Sequence, residues 1–591
     1  MNRILKSFVT EFTDGLGFEC SENDAFEHFS NYSIINSRYN DSFDIGDVHI
    51  GKDSTVGIDG LAIIINGRLV TSKEEAQDII DIGGELKVQY IFIQSKSSEK
   101  FDGAAILGFG DAVRDFIRED RALAWSESAK QYLETSDTII NNYARLTSAP
   151  RCDMFYVTAG SWQGDQNIQS RIASTISHVQ NEKVFSEVNM TVAGCDELQK
   201  WYSKSKELVE ATINFENYVI LPKLTGIKES FFGFIPISEF KKLLADINGN
   251  IAKTIFYDNV RDFQGTSNTV NESIKSTLDG GVPEIFVVLN NGVTVVAEKV
   301  SRSRNEFTLQ GYQIVNGCQT SHVIFESDAV DNVCVPIKLI VTENNELTNQ
   351  IIKSTNHQTE VTEEDIIALS SFQKDLEQYY ATYSGKGRLY YERRSKQYNN
   401  DSTVPKIKII SKSMQLKAFA SMFLGKPNRA SRYYGTLLSD VKNSIFKTNH
   451  SYKPYYVSAY SLYVIESLFR KKEFDWSFRK FRFAMLPVLR EVATDWSQQP
   501  KLNSKKIDKY CESILDFVND TKKIKTFIKN FIKCLNGLKI DTSSSDSAKK
   551  SGLEQQLIST YKQLQTKVGI HRKTIAVKEN VSIKRKGSTA K

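Results

Sequence analysis

The sequence predicts an α/β chain of several domains, with an N-terminal α/β domain, a central α/β core and a mostly helical C-terminal region. Its 591 residues exceed the length at which a single hydrophobic core stops growing, so roughly two to four domains are expected. Short apolar runs of strand length alternate with helical patterns as far as residue 361, whereas helical spacing prevails from residue 362 onward. This change of pattern separates the central core from the helical region.

The N-terminal domain is predicted over residues 1–150, in the order helix, strands, helices. Asn66 and Gly67 stand between two apolar runs, which indicates a tight hairpin turn that folds the strand after Asp59 back on its neighbour. Residues 110–117 have apolar side chains three and four positions apart, as in an amphipathic helix. These patterns are typical of an α/β domain.

Residues 151–215 are predicted to form a small α/β element that continues or flanks the first domain. Strands are expected at residues 154–160 and 184–192, on either side of a polar stretch with helical spacing. This element connects the first domain to the central core.

The central core is predicted over residues 216–361, with strands at 285–289, 292–297 and 335–341. Asn290 begins an Asn-Asn-Gly sequence that indicates a turn between the first two of these strands. The core is therefore expected to be α/β.

The helical region is predicted over residues 362–540 and a flexible basic tail over residues 541–591. Within the helical region, residues 522–533 have apolar groups on one helical face and lysines on the other. Such a helix either contacts nucleic acid or a membrane surface, or packs against its own domain with its lysines in water. Both interpretations remain open at this point.

Polar side chains at the ends of two N-terminal strands form the candidate catalytic set. Asp59 precedes an apolar strand, while Gln94 and Lys96 lie two residues apart and therefore on one face of another strand. Carboxylate and amide oxygens suit Mg²⁺ or Mn²⁺, and an ammonium group near the metal orients water or stabilises charge on a phosphate. Asp59 and Gln94 are the predicted metal ligands, and Glu27 is a further acidic group expected from the first helix.

This set resembles the PD-(D/E)xK nuclease pattern, in the variant with Gln that is found in Mrr-like restriction endonucleases. The resemblance implies a restriction-endonuclease-like fold over about the first hundred residues and catalytic roles for Asp59, Gln94, Lys96 and Glu27. Gln94 replaces the commoner Asp or Glu and removes one negative charge from the metal site. The alternative is that Gln94 and Lys96 end a solvated edge strand.

Several blocks of sequence follow one another in a fixed order, at residues 259–265, 270–274, 289–294, 313–321, 354–361 and 390–394. Together they resemble the AIPR family, which is named for abortive infection and phage resistance in bacteria. The resemblance is expected over roughly residues 20 to 400, and its most specific block contains Asn316, Gln319 and Thr320. It implies antiviral defence and makes a nuclease at the N-terminus the expected interpretation.

Two further sets of residues are candidates for binding. Arginine and tyrosine alternate in the set Arg388, Tyr391, Arg393 and Arg394, a combination that neutralises phosphates and stacks on bases. The alternative is a solvated helix face with its tyrosines in the core. Asn316, Gln319 and Thr320 are interpreted either as a polar pocket for a phosphate or nucleotide, or as a hydrogen-bonded turn between strand and helix.

Composition narrows the class of protein. The net charge of +5 is small for this length, so any nucleic-acid surface must be local. The seven cysteines are odd in number and show no C-x-x-C spacing, which argues against a disulfide framework or a structural zinc site. There is no Walker phosphate loop, no signal-peptide pattern and no run of ~18 apolar residues, so a soluble cytoplasmic protein is expected.

The leading hypothesis is a cytoplasmic Mg²⁺-dependent nuclease of phage defence that acts on DNA or RNA. A homo-oligomer and a phage-derived trigger fit this hypothesis, and no membrane partner is expected. The alternative is a non-catalytic nucleic-acid-binding or sensor protein that kept the nuclease fold without its metal chemistry.

Overall fold

A computed structural model of the chain describes most of residues 1–566. The residues outside the description are 17–19, 40, 51–56, 205–208, 246–250, 257–268, 281, 328–332, 345–346, 349, 352–353, 355–362, 394–396, 399–400, 402, 543 and 567–591. The described residues form a mixed α/β structure with two large sheets and a helical region. None of their helices has both the length and the apolar character needed to cross a membrane.

The N-terminal domain is built on a five-stranded sheet with the order β2-β1-β3-β4-β5. β1 is antiparallel to β2 and β3, whereas β3, β4 and β5 are mutually parallel. The strands are β1 (Gly60–Ile65), β2 (Arg68–Val70), β3 (Val88–Lys96), β4 (Arg151–Thr158) and β5 (Glu187–Ala193). Because β4 and β5 belong to this sheet, the boundary placed at residue 150 falls inside one sheet, and residues 151–193 continue the first domain.

Seven helices cover both faces of this sheet. They are α1 (Arg3–Asp14), α2 (Glu22–Asn36), α3 (Lys73–Ile82), α4 (Gly103–Ile117), α5 (Glu127–Asn141), α6 (Gln166–Gln180) and α7 (Cys195–Lys204). Apolar residues of α1, α2 and α7 pack on one face, and those of α3 to α6 pack on the other. Asn66 and Gly67, both with positive φ, form the predicted two-residue turn between β1 and β2.

The central core contains a six-stranded sheet with the order β6-β10-β9-β11-β8-β7. Its strands are β6 (Glu210–Asn214), β7 (Asn217–Ile220), β8 (Glu229–Pro236), β9 (Val293–Ser303), β10 (Glu306–Asn316) and β11 (Cys334–Val341), and its helices are α8 (Ile237–Leu244), α9 (Thr269–Leu278), α10 (Phe286–Leu289) and α11 (Cys318–Glu326). The strands predicted at 292–297 and 335–341 are present as β9 and β11.

The strand predicted at residues 285–289 is wrong. A 3-10 turn at Pro283–Ile285 leads into the short helix α10, in which the side chain of Val288 is 78% exposed. The apolar run favoured a strand, but β9, which follows it in the chain, already has β10 and β11 on its two sides. A strand at this position would find no free edge on β9.

The C-terminal region is helical, as predicted, apart from a two-stranded pair, β12 (Tyr390–Glu392) and β13 (Ile409–Ser411). Its helices are α12 (Glu363–Ala381), α13 (Lys412–Leu424), α14 (Tyr434–Val441), α15 (Lys453–Arg470), α16 (Arg482–Ala493), α17 (Lys506–Asn519), α18 (Thr521–Gly537) and α19 (residues 553–566). Apolar residues of α18, including Phe527 and Phe531, lie in the core of this region. Of the two interpretations of residues 522–533, this position fits a helix that packs against its own domain.

The tail predicted to be flexible is partly ordered. Leu553, Leu557 and Tyr561 of α19 are buried in the core of the helical region, so residues 553–566 belong to that region. The Ser-rich stretch near residue 544 has the composition of a linker. The tail was therefore predicted from composition, and the apolar spacing that follows this stretch was not used. The basic residues from 567 onward lie outside the described residues.

Ion pairs join the N-terminal domain to the helical region. Arg432 donates to both carboxylate oxygens of the buried Asp78, with Nε 2.8 Å from Oδ2, and Tyr433 N donates to the same oxygen at 3.0 Å. Other pairs across the interface are Lys549–Glu74, Lys73–Asp546, Lys417–Glu75, Arg479–Asp47 and Arg470–Asp44. We name this set of residues the interdomain ion pairs.

Candidate active site

The Asp59 side chain is fixed at the point where β1 and β3 begin to pair. Gly60 is opposite Ile93 in the antiparallel register, and extending that register by one residue brings Asp59 level with Gln94. The ladder ends here, because Asp59 N donates to Ile93 O at 2.8 Å and Ser95 N donates to Asp59 Oδ2 at 2.7 Å. Asp59 therefore lies against the end of β3 that carries Gln94 and Lys96.

Gln94 and Lys96 share a face of β3 with Tyr90 and Phe92, which pack in the core beneath α4. Gln94 is only 4% exposed, and its Oε1 atom has no hydrogen-bond partner among the residues that the structure describes. Lys96, by contrast, is only partly buried. A buried amide oxygen without a partner costs about 1–3 kcal/mol, so its retention here suggests a ligand.

The residues present fit a hard divalent cation. Mg²⁺ commonly takes one or two protein oxygen ligands and completes its shell with water and substrate phosphate. Asp59 supplies a carboxylate and Gln94 an amide oxygen, whereas Lys96 supplies a positive charge for the phosphate. Within the described ranges, no cluster of three or more His, Cys, Asp or Glu side chains is suited to a metal ion, so a set richer in carboxylates is not found there.

Burial raises the pKa of Asp59 above its usual value, although the hydrogen bonds from Ser95 and the charge of Lys96 oppose the shift. The folded protein therefore binds a proton at Asp59 more tightly than the unfolded chain does. Consequently, ionised Asp59 lowers the stability of the metal-free protein as pH rises from the unfolded to the folded pKa. A cation beside the carboxylate would offset that cost.

The affinity of the site for Mn²⁺ should increase with pH through the folded pKa of Asp59. Below that pKa a bound cation displaces a proton, so affinity is expected to rise by up to about tenfold for each pH unit and then level off. Titration of Mn²⁺ by electron paramagnetic resonance at a series of pH values measures this. Affinity that stays constant from about pH 4 to 8 would contradict a site that contains Asp59.

Glu27 lies on α2, the second helix of the chain rather than the first. Asn23 and Asn31 are four residues before and after it, and they contact Ser97 and the carbonyl of Asp59 respectively. Residues four apart share a helix face, so Glu27 belongs to the stripe of α2 that faces the end of β3. Because α2 packs on the face of the sheet opposite to that of Gln94 and Lys96, the assisting role of Glu27 stays a prediction.

A histidine pair lies beside this stripe. The rings of His28 and His49 are 4.1 Å apart between centroids, and burial lowers the pKa of His28 to about 4. His28 is therefore neutral at physiological pH, which suits packing in this position.

The predicted nucleic-acid set does not form an open surface. Tyr391 is fully buried and donates to Gln373, so its ring is not available to stack on a base. Arg393 pairs with Glu377 at 3.1 Å, and Arg388 donates to Tyr380 O at 2.8 Å. Arg394 lies outside the described residues. The interpretation of these tyrosines as core residues fits Tyr391, which packs in the core of the helical region.

The proposed pocket residues hold three elements of the central core together. Asn271 of α9 donates to Gln319 Oε1 at 2.9 Å, and Asn290 donates to Thr320 Oγ1 at 3.3 Å. Asn316 ends β10, and Gly317, with φ of 96°, turns the chain into α11 with its Cα against Val293. These bonds match the interpretation of a hydrogen-bonded turn between strand and helix.

Two residues of the candidate site were not predicted. The shorter bond from Ser95 to Asp59 comes from its backbone N–H, which no residue type reveals, and its hydroxyl lies 3.4 Å from the same oxygen. Asn31 lies on the buried face of α2 among apolar residues. A polar residue on an apolar helix face is the sequence signal that could have identified it.

Comparison with known proteins gives one family. No match was found among curated proteins or among solved structures. Residues 256–543 match the family model described as AIPR protein. The match begins after the N-terminal sheet and extends through most of the helical region, whereas the resemblance was expected over residues 20 to 400. The AIPR resemblance is therefore confirmed for the part of the chain from residue 256 to residue 543.

Proposed function

We propose that this chain is a cytoplasmic nuclease of bacterial antiphage defence that uses Mg²⁺ or Mn²⁺ to cleave phosphodiester bonds. The observation that carries the proposal is the buried Oε1 of Gln94, which lacks a partner among the described residues and is adjacent to the residue that binds Asp59. The AIPR match supplies the biological setting, since the family is named for abortive infection and phage resistance.

Each residue has a role that follows from its chemistry. Asp59 and Gln94 would hold the cation, which supplies Lewis-acid stabilisation of the phosphate and a more acidic bound water. Lys96 orients the attacking water or stabilises the charge that develops on the phosphate. Glu27 would assist from α2. Ser95 N and Ser95 Oγ both donate to Oδ2 of Asp59, so among the described residues Oδ1 would be the oxygen offered to a ligand.

A cleavage assay with matched variants tests the proposal. Purified full-length protein is incubated with single- and double-stranded DNA and RNA in Mg²⁺, Mn²⁺ or EDTA. Lys96→Ala should reduce metal-dependent cleavage by at least about a hundredfold, because it removes a preorganised positive charge. Lys87→Ala, at the other end of β3 and exposed, is the control and should cleave normally.

Wild-type cleavage retained by Lys96→Ala would exclude this site. If wild type cuts no substrate, the assay is repeated with extract from infected cells to supply a phage-derived trigger. Continued absence of cleavage would reject the nuclease proposal.

A second candidate function is a nucleic-acid-binding or sensor protein without catalysis. The observation that favours it is that the described residues contain no group of three or more His, Cys, Asp or Glu side chains suited to a metal ion. Such a protein would bind nucleic acid equally well in EDTA and in Mg²⁺. A filter-binding or fluorescence-anisotropy titration in both solutions is read together with the cleavage assay: binding that persists in EDTA, with no cutting in Mg²⁺ or Mn²⁺, identifies the binding protein.

A further inference from the structure

Asn31 joins three segments around the backbone of Asp59. Its side chain lies on α2 and is fully buried. Nδ2 donates to Asp59 O at 3.1 Å and lies 3.4 Å from His49 Nδ1. Ile50 N also donates to Asp59 O, at 3.2 Å. The carbonyl of Asp59 is thus held by α2 on one side and by residues 49–50 on the other.

The start of β1 is shaped around this amide. A Cβ atom on Gly60 would lie 2.3 Å from Asn31 Oδ1 and 2.5 Å from Asn31 Cγ. Both distances are shorter than van der Waals contact, so a larger residue at position 60 would displace the Asn31 side chain. The backbone next to Asp59 therefore packs directly on the Asn31 amide. Close packing of this kind limits the positions that Asp59 can occupy.

Stability alone does not account for an amide at this place. Asn31 Oδ1 is buried and finds no hydrogen-bond partner within the described part of the chain. A buried acceptor that stays unmet is costly, and an apolar residue of the same shape would avoid that cost. What the amide adds is the hydrogen bond to the residue that carries the candidate metal ligand.

We propose that Asn31 is a positioning residue that fixes Asp59 for binding of the divalent cation. The proposal rests on the function proposed above, because it requires a cation at Asp59. Residues that orient metal ligands through one intervening bond typically change metal affinity or activity by about 10- to 100-fold when they are replaced. A displacement of Asp59 that produces such a change in metal affinity would leave the fold intact.

Asn31→Leu in the full chain tests the proposal, because leucine has the same branching without the polar atoms. Mn²⁺ affinity is measured by electron paramagnetic resonance, cleavage is measured over a range of Mg²⁺ concentrations, and thermal unfolding is recorded in EDTA. We expect Mn²⁺ affinity to fall by roughly tenfold or more, with a matching rise in the Mg²⁺ concentration for half-maximal cleavage. Cleavage at saturating Mg²⁺ should recover to near the wild-type rate.

Matched variants keep the test decisive. Ser30→Ala, at the neighbouring and equally buried position of α2, should bind Mn²⁺ as wild type does. Asn31→Ala replaces Asn31→Leu if the leucine variant does not fold. Wild-type Mn²⁺ affinity in a folded Asn31 variant overturns the positioning role and leaves the nuclease proposal standing. Absence of Mn²⁺ binding by wild type overturns both.

Discussion

Asp59→Asn should abolish metal-dependent cleavage without lowering the thermal stability of the metal-free protein. The carboxylate is the only charged group proposed as a metal ligand, so its loss removes cation binding and with it the reaction. Stability should not fall, because burial raises the pKa of Asp59 and ionisation at neutral pH therefore opposes folding. Asparagine keeps an oxygen that can accept the hydrogen bond from Ser95 N.

The comparison is made by cleavage assay and by thermal unfolding in EDTA near pH 7. Asp165→Ala serves as the reciprocal control, since Asp165 caps α6 by accepting from Ile168 N at 2.9 Å and lies outside the candidate site. Loss of this cap should cost about 1 kcal/mol and leave cleavage unchanged. Full cleavage by Asp59→Asn would show that catalysis does not depend on this carboxylate.

Arg479→Ala should destabilise the chain more than any surface substitution. Arg479 is nearly buried and pairs with Glu466 at 2.8 Å and with Asp47 of the N-terminal domain at 3.4 Å. Its removal leaves buried carboxylates with too few cations, and breaking a buried pair in this way costs roughly 3 to 5 kcal/mol. Arg482, 2.9 Å from Glu466, would compensate only in part.

Thermal unfolding and limited proteolysis measure this effect. Because Asp47 belongs to the N-terminal domain, we expect proteolysis to become faster at the contact between that domain and the helical region. Arg118→Ala is the matched control, since Arg118 forms an exposed pair with Asp120 and exposed pairs contribute little. Equal unfolding temperatures for the two variants would contradict the importance assigned to the buried network.

Local patterns were sufficient wherever one short segment determines its own structure. The Asn66-Gly67 turn, the strand that ends in Lys96 and the apolar face of α18 follow from turn chemistry and periodicity. The strand predicted at residues 285–289 is wrong because a strand also needs a neighbouring strand with an unpaired edge. The sequence does not reveal which edges are unpaired. The prediction of Tyr391 as a nucleic-acid contact missed its burial for a related reason. That burial depends on contacts with α12, which precedes Tyr391 in the chain.

The residue types of the candidate site could be predicted from the sequence, but the hydrogen bonds that hold Asp59 in place could not. Asp59, Gln94 and Lys96 stand out because polar residues end apolar strands. The bonds from Ser95 N and Asn31 depend on register and on the approach of α2 to β1, and these are properties of the folded chain. The basic residues expected to bind nucleic acid show a similar limit, since Arg388 donates to Tyr380 O and Arg393 pairs with Glu377 within the same region.

The interdomain ion pairs have a consequence for how this protein can be divided. In most of them the N-terminal domain provides the acid, with Asp44, Asp47, Glu74, Glu75 and Asp78, and the later part of the chain provides the base. An N-terminal fragment expressed alone would present these carboxylates to solvent as an acidic face and would repel a polyanion such as DNA or RNA. The fragment that carries the candidate site is thus a poor substitute for the whole chain, because its charge is balanced by residues encoded more than three hundred positions later.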